Sequence, residues 1–149
     1  MKIVRAGEVF QCHLSKGEWG LLSDILKLYP CISTRQHPRA AGKSDSSQSL
    51  LEESLSEQRV ENKQRLRAFL ADRRRFESTD KGWHFSVSIA ELEWLLQILN
   101  DVRVGSWILL GSPDEKLGLE VLDETTAPHF WAMEMAGHFE MQILFALKG

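Results

Sequence analysis

Gly82-Trp83-His84-Phe85-Ser86-Val87-Ser88-Ile89-Ala90-Glu91-Leu92 passes from one periodicity to another within a few residues. Trp83, Phe85 and Val87 alternate with His84 and Ser86, the period of a half-buried strand. Ser88-Ile89-Ala90-Glu91 then fits a capping box, in which the serine oxygen accepts the third backbone N–H and the glutamate reaches back. Beyond it Ile89, Leu92, Leu96, Leu99 and Val102 line one helical face, and Trp94, Leu95 and Ile98 widen it. A central helix is expected as far as about Leu110, with a small sheet beside it.

Toward the N-terminus, Lys2 to Arg5 and Glu8 to Leu14 read as two short strands joined by a turn at Ala6-Gly7. Val9 is out of step with Phe10, Cys12 and Leu14, which suits a bulge. Ser15-Lys16-Gly17-Glu18 is a second capping box, and Trp19, Leu22, Ile25, Leu26 and Tyr29 recur at helical spacing until Pro30. Residues 33–48, where Thr34, Gln36, Pro38, Gly42, Ser44, Ser46 and Ser47 dominate and almost nothing is apolar, read as a mobile loop. A long helix is expected from about Ser49 to Phe76, opened by the capping box Ser49-Leu50-Leu51-Glu52. Its apolar stripe is thin: Leu51, Leu55, Asn62, Leu66, Phe69 and Leu70. Glu52, Glu53 and Glu57 near its start and Arg73, Arg74 and Arg75 at its end complement the helix dipole.

Toward the C-terminus, Gly111-Ser112-Pro113-Asp114 breaks the central helix. Residues 112–125 form an acidic connection with a short turn at Leu117 to Leu122. Thr125 or Thr126 can cap a last helix that has Pro128 in its first turn. That helix carries Phe130, Met133, Ala136, Phe139, Met141, Ile143, Leu144 and Leu147, apolar over most of its circumference. Such a helix is buried against several neighbours or against a partner subunit. The expected fold is α+β, mainly α: a bundle of about four helices with a small antiparallel sheet of two to three strands, residues 1–149 making a single domain.

With 149 residues the chain suits one core, and a net charge of −3 is too small to point to a nucleic-acid or membrane partner. The two cysteines, Cys12 and Cys31, form neither a CxxC pair nor a disulfide framework. No apolar segment at the N-terminus suits a signal peptide, and the run Trp107 to Leu110 is far short of a membrane span, so a cytoplasmic location is expected.

The most informative polar segment is Leu99-Asn100-Asp101-Val102-Arg103-Val104-Gly105. Asn100 and Arg103 are helical neighbours, and Asp101 lies about 100° round from Asn100. Such a cluster either fixes helix packing or binds a ligand or partner. Glu134 and His138 are four apart on the last helix and could hold a metal, but the spacing is not HExxH and no third ligand is placed. A Glu–His hydrogen bond at a helix surface is the plainer account. Cys12 and His13, adjacent on a strand, point to opposite faces and make no nucleophile pair. The 59–75 segment is basic through Arg59, Lys63, Arg65, Arg67, Arg73, Arg74 and Arg75, yet no aromatic platform interleaves these residues. A solvated helix face accounts for it.

The segment Leu99 to Gly105 resembles the "LNDLRL…LG" signature of a bacterial family catalogued as domain of unknown function twenty-seventeen. Ala136-Gly137-His138-Phe139-Glu140-Met141-Gln142-Ile143-Leu144 is similar to that family's terminal helix. The N-terminal strand pair followed by Glu18, Leu21, Leu22 and Leu26 suits its opening. His138 departs from the pattern, standing where the family tends to have tryptophan. The resemblance implies no particular activity; members are often encoded beside the ClpS protease adaptor, which implies a protein partner linked to Clp proteolysis. The sequence thus points to a non-enzymatic interaction or regulatory domain that self-associates as a homo-oligomer and needs no cofactor. A small metal-dependent hydrolase using Glu134, His138 and Asp101 is the second reading, and weak nucleic-acid binding through the 59–75 helix the third.

Overall fold

The computed structural model describes residues 1–31, 45–112 and 123–149. Its elements in chain order are β1 (Lys2–Ala6), β2 (Val9–Leu14), α1 (Lys16–Lys27), α2 (Asp45–Ala71), β3 (Phe76–Thr79), β4 (Gly82–Ser88), α3 (Ile89–Leu109) and α4 (Ala127–Lys148). The mainly helical α+β class stands. The sheet, however, has four strands, in the order β1-β2-β4-β3 and antiparallel throughout.

β3 is the strand that the sequence conceals. Only Phe76 in it packs against the core, while Glu77, Ser78 and Thr79 are exposed, and the helical pattern of α2 runs straight up to it. α2 stops at Ala71 and not at Phe76. There the Asp72 side chain accepts the backbone N–H of Arg74 at 3.2 Å, a local turn that competes with another helical turn. Arg73, Arg74 and Arg75 therefore lie beyond the helix and do not complement its dipole. The other end of α2 also moves: the helix begins at Asp45, so Ser49 lies inside it and has no helix start to cap. Glu52 accepts from Gln48 Nε2 at 3.5 Å instead. Of the loop expected at 33–48, residues 45–48 are thus helical and the rest lies outside the described residues, as do residues 113–122 of the acidic connection.

The other two capping boxes are present. Ser15 Oγ accepts Glu18 N–H and Ser88 Oγ accepts Glu91 N–H, both at 3.1 Å, and each glutamate takes the serine N–H at 3.0 Å. Gly7, at φ +68°, makes the turn between β1 and β2. The pairing there runs residue for residue, so no bulge forms; Val9 simply faces outward. At the start of α4, Thr126 occupies the capping position without a side-chain cap bond. Its hydroxyl and its backbone N–H donate to Asp123 at 3.1 and 2.9 Å. These bonds and the one from Thr125 N–H hold the Asp123 carboxyl below its ordinary range.

One row, Ile3–Cys12–Phe85–Phe76, crosses the inner face of all four strands. Leu22, Ile25 and Leu26 of α1, Leu92, Leu95, Ile98, Leu99 and Val102 of α3, and Phe139 and Ile143 of α4 complete the core. α4 packs chiefly along α3 and reaches α1 and β1 as well. From α2, Leu66 and Phe69 enter this core, Phe69 meeting Phe76, Phe85 and Trp94 edge-on. Among the described residues no helix is long and apolar enough to cross a membrane.

Candidate functional site

α3 carries the polar segment singled out from the sequence, and its helical pitch sends Asp101 and Arg103 to two different neighbours. Arg103 turns toward α4. Its Nε donates to Glu140 Oε1 at 3.0 Å and its Nη2 to Asn100 Oδ1 at 2.9 Å. Asp101 turns toward α2, where its Oδ1 lies 3.6 Å from Arg59 Nη2. The expected Asn100–Arg103 pair is thus present, but Asp101 belongs to a separate cluster. Sequence spacing carries no warning that Arg59, only 7% exposed, is an inward-facing residue.

The cluster around Asp101 joins three helices. Tyr29, just past α1, accepts from Asn62 Nδ2 at 3.2 Å, and Asn62 Oδ1 accepts from Trp94 Nε1 at 3.2 Å. Cys31 Sγ lies 3.7 Å from Val102 O and 3.9 Å from Ser106 Oγ. Burial pushes the Cys31 thiol up, against the lowering effect of Ser106, and the Asp101 charge pushes it further. Burial likewise raises the Tyr29 hydroxyl, although its bond from Asn62 opposes the shift. Both groups therefore stay protonated at neutral pH, which suits hydrogen bonding and not nucleophilic attack. Cys12, in the sheet, is pushed up to about 12 by burial. His13, on the opposite face, stacks on His84 at 4.5 Å, so Cys12 and His13 do point apart.

On the other side of α3, burial lifts the Glu140 carboxyl above its ordinary range, and Arg103 offsets this only in part. A carboxyl raised on folding favours the fold when protonated. Its contribution is complete below the unfolded value of about 4.3 and is lost as pH rises through the folded value. Removing Arg103 leaves the buried carboxylate without its cation. Arg103→Ala is therefore expected to cost about 1–3 kcal/mol at pH 7 and distinctly less at pH 4. Glu140→Gln, which removes the buried charge, should cost less than Arg103→Ala at pH 7. Urea unfolding at the two pH values checks this, and equal losses at both would refute it.

The basic 59–75 stretch is also drawn into the protein. Arg65 stacks over Trp94, 4.3 Å from the ring centroid. Arg75 Nη2 lies 2.7 Å from Glu91 Oε2, Nη1 donates to Ser86 O at 3.1 Å, and the guanidinium lies 4.8 Å from the centroid of Phe69. Burial raises the Glu91 carboxyl, but the bonds from Arg75 and Ser88 outweigh it and leave Glu91 below its usual range. Arg59, Arg65 and Arg75 thus act as clasps, Arg65 from an exposed position, while Lys63, Arg67, Arg73 and Arg74 are exposed.

Glu134 and His138 are exposed on the outer side of α4, and His129 is half-buried near its start. Among the described residues no three His, Cys, Asp or Glu side chains come together in a metal-holding group, so Glu134 and His138 do not form one with Asp101. A small cavity behind the sheet is lined by apolar side chains, Cys12, Phe85 and Leu95 among them.

Among the described residues α4 carries more exposed large apolar side chains than any other element. Trp131, Met141, Leu144 and Phe145 are 39%, 58%, 41% and 71% exposed, while Ala132, Ala136, Phe139 and Ile143 of the same helix are buried. The apolar circumference legible in the sequence is therefore divided between the core and open solvent. Compared with family models, with curated proteins and with solved structures, the chain finds no match.

Proposed function

We propose that this chain is a non-enzymatic interaction or regulatory domain of the cytoplasm and that it self-associates through the outer face of α4. The observation that carries the reading is the exposure of Trp131, Met141 and Phe145, with Leu144 on the flank, on a helix whose opposite face already fills the core. Apolar side chains gathered on one exposed helical face mark an interaction site more often than a bare surface. The polar groups that bridge helices support the same reading: Asn62, Arg59, Asp101 and the exposed Arg103 join helices to one another, as packing devices do.

Light scattering on the purified chain across a concentration series is expected to show a dimer. Phe145→Glu, at an exposed position that leaves the core intact, should raise the dissociation constant about tenfold or more. A monomer at every concentration would remove the proposal. A pull-down from native lysate then separates self-association from capture of a protein partner linked to Clp proteolysis, which the family resemblance favours.

A further inference from the structure

Trp131, Glu134, His138, Met141 and Phe145 follow one another at alternating steps of three and four residues, and all of them are exposed. That spacing keeps side chains in a single stripe along a helix and is the spacing of a coiled-coil seam. On α4 the seam lies opposite the core face, so it is a second and unfilled apolar line on a helix already packed against α3. Its composition is mixed in an ordered way. Aromatic and aliphatic residues stand toward the ends, with one acid and one imidazole between them.

We propose that two copies of the chain pair through this seam with their α4 helices antiparallel, Trp131 lying against the partner's Met141 and Glu134 against the partner's His138. This deepens the self-association proposed above and rests on it. Complementarity selects the arrangement. A parallel, in-register pair sets Glu134 against the partner's Glu134 and His138 against the partner's His138, like against like. An antiparallel pair centred on His138 again opposes the two imidazoles. Sliding the antiparallel pair by one heptad one way sets the Glu134 carboxylate on the partner's Phe145; sliding it the other way leaves most of the seam unpaired. In the register proposed, apolar meets apolar twice and carboxylate meets imidazole twice, because the two-fold axis repeats each contact. Phe145 then lies over the partner's Ala127, small and exposed at the start of its α4. Glu134 and His138 make no salt bridge with any other described residue, so each is available to the partner. Two helices of 22 residues, each about 33 Å long, are long enough to carry these layers at the shallow crossing angle of such packing.

The register predicts a charge swap between chains. Glu134→Lys alone places a cation against the partner's imidazole, and His138→Glu alone places two carboxylates together. His138→Glu in the full chain is expected to raise the homodimer dissociation constant about tenfold or more, since like charges juxtaposed at an interface are strongly disfavoured; Glu134→Lys removes the carboxylate that pairs with the partner's imidazole and is expected to raise it less. Mixed in equal amounts near neutral pH, the two variants should cross-pair. The introduced lysine of one chain then meets the introduced glutamate of the other, while the native Glu134–His138 contact forms alongside. Native mass spectrometry would show the heterodimer dominating both homodimers. The double variant E134K/H138E should restore the homodimer by itself. Both sites are exposed, and unchanged circular dichroism and urea midpoints establish that the variants fold. If the wild-type chain dimerises but the mixture does not cross-pair preferentially, the register is wrong and self-association stands. If the wild-type chain is monomeric throughout, both fall together.

Discussion

Gly82→Ala is expected to destabilise the fold by about 3–5 kcal/mol, a loss large enough to leave much of the chain unfolded at ordinary temperature. Gly82 opens β4 at φ +145°, a conformation that side chains rarely adopt. A Cβ there would run into the carbonyl of Leu14 and come within 2.8 Å of Ser15 Cα. Both neighbours are backbone, and Ser15 is the residue that caps α1, so neither can swing aside as a flexible side chain would. Strain and overlap therefore add. Gly7 supplies the control. It too has a positive φ, +68°, but nothing lies within 4 Å of the Cβ it lacks. Gly7→Ala should cost only about 1 kcal/mol. Urea unfolding of the two variants side by side is the test; similar midpoints would show that the close approach to Leu14 and Ser15 is not what constrains Gly82.

The second large effect concerns Asn62. Its amide spans two buried aromatic residues, donating to the Tyr29 hydroxyl and accepting from the Trp94 indole, both at 3.2 Å. Tyr29 and Trp94 are only 6% and 5% exposed, so water cannot replace the lost amide freely. Asn62→Ala is expected to cost about 2–4 kcal/mol, since two buried polar groups lose their partner at once. Asn62→Leu should recover little of this, although leucine fits the apolar stripe around it, because the indole N–H and the phenol remain unpaired. A leucine variant as stable as the native chain would show that the amide is a spectator.

Asn62 also shows how far sequence reasoning reaches here. Its place in the stripe of α2 is legible from spacing, because helical periodicity is a local property. What it touches is not, because Tyr29 and Trp94 lie more than thirty residues away on either side. The same division runs through the chain. The capping boxes at Ser15 and Ser88 are legible because their donors and acceptors sit within three residues of each other. The similar motif at Ser49 misleads because a helix can begin upstream of a perfectly good cap. β3 escapes because a four-residue edge strand with one apolar residue carries almost no periodicity. Around Asn100, Asp101 and Arg103, the local pair follows from spacing, whereas the partners Arg59 and Glu140 come from distant segments. On α4, spacing shows an apolar circumference but cannot divide it between core and solvent; that division depends on where α3 lies.

β4 passes into α3 with no loop between them, Ser88 being the last residue of one and the cap of the other. The junction therefore acts as a phase setting. Every α3 side chain points where it does because helical rotation is counted from a residue clamped in the sheet. One residue added after Ser88 would turn the helix by about 100° relative to that clamp. Asp101 would be carried away from α2, and Arg103 away from α4. The two polar contacts on opposite sides of α3 thus share one angular origin, so evolution could not retune either by a length change there without disturbing the other.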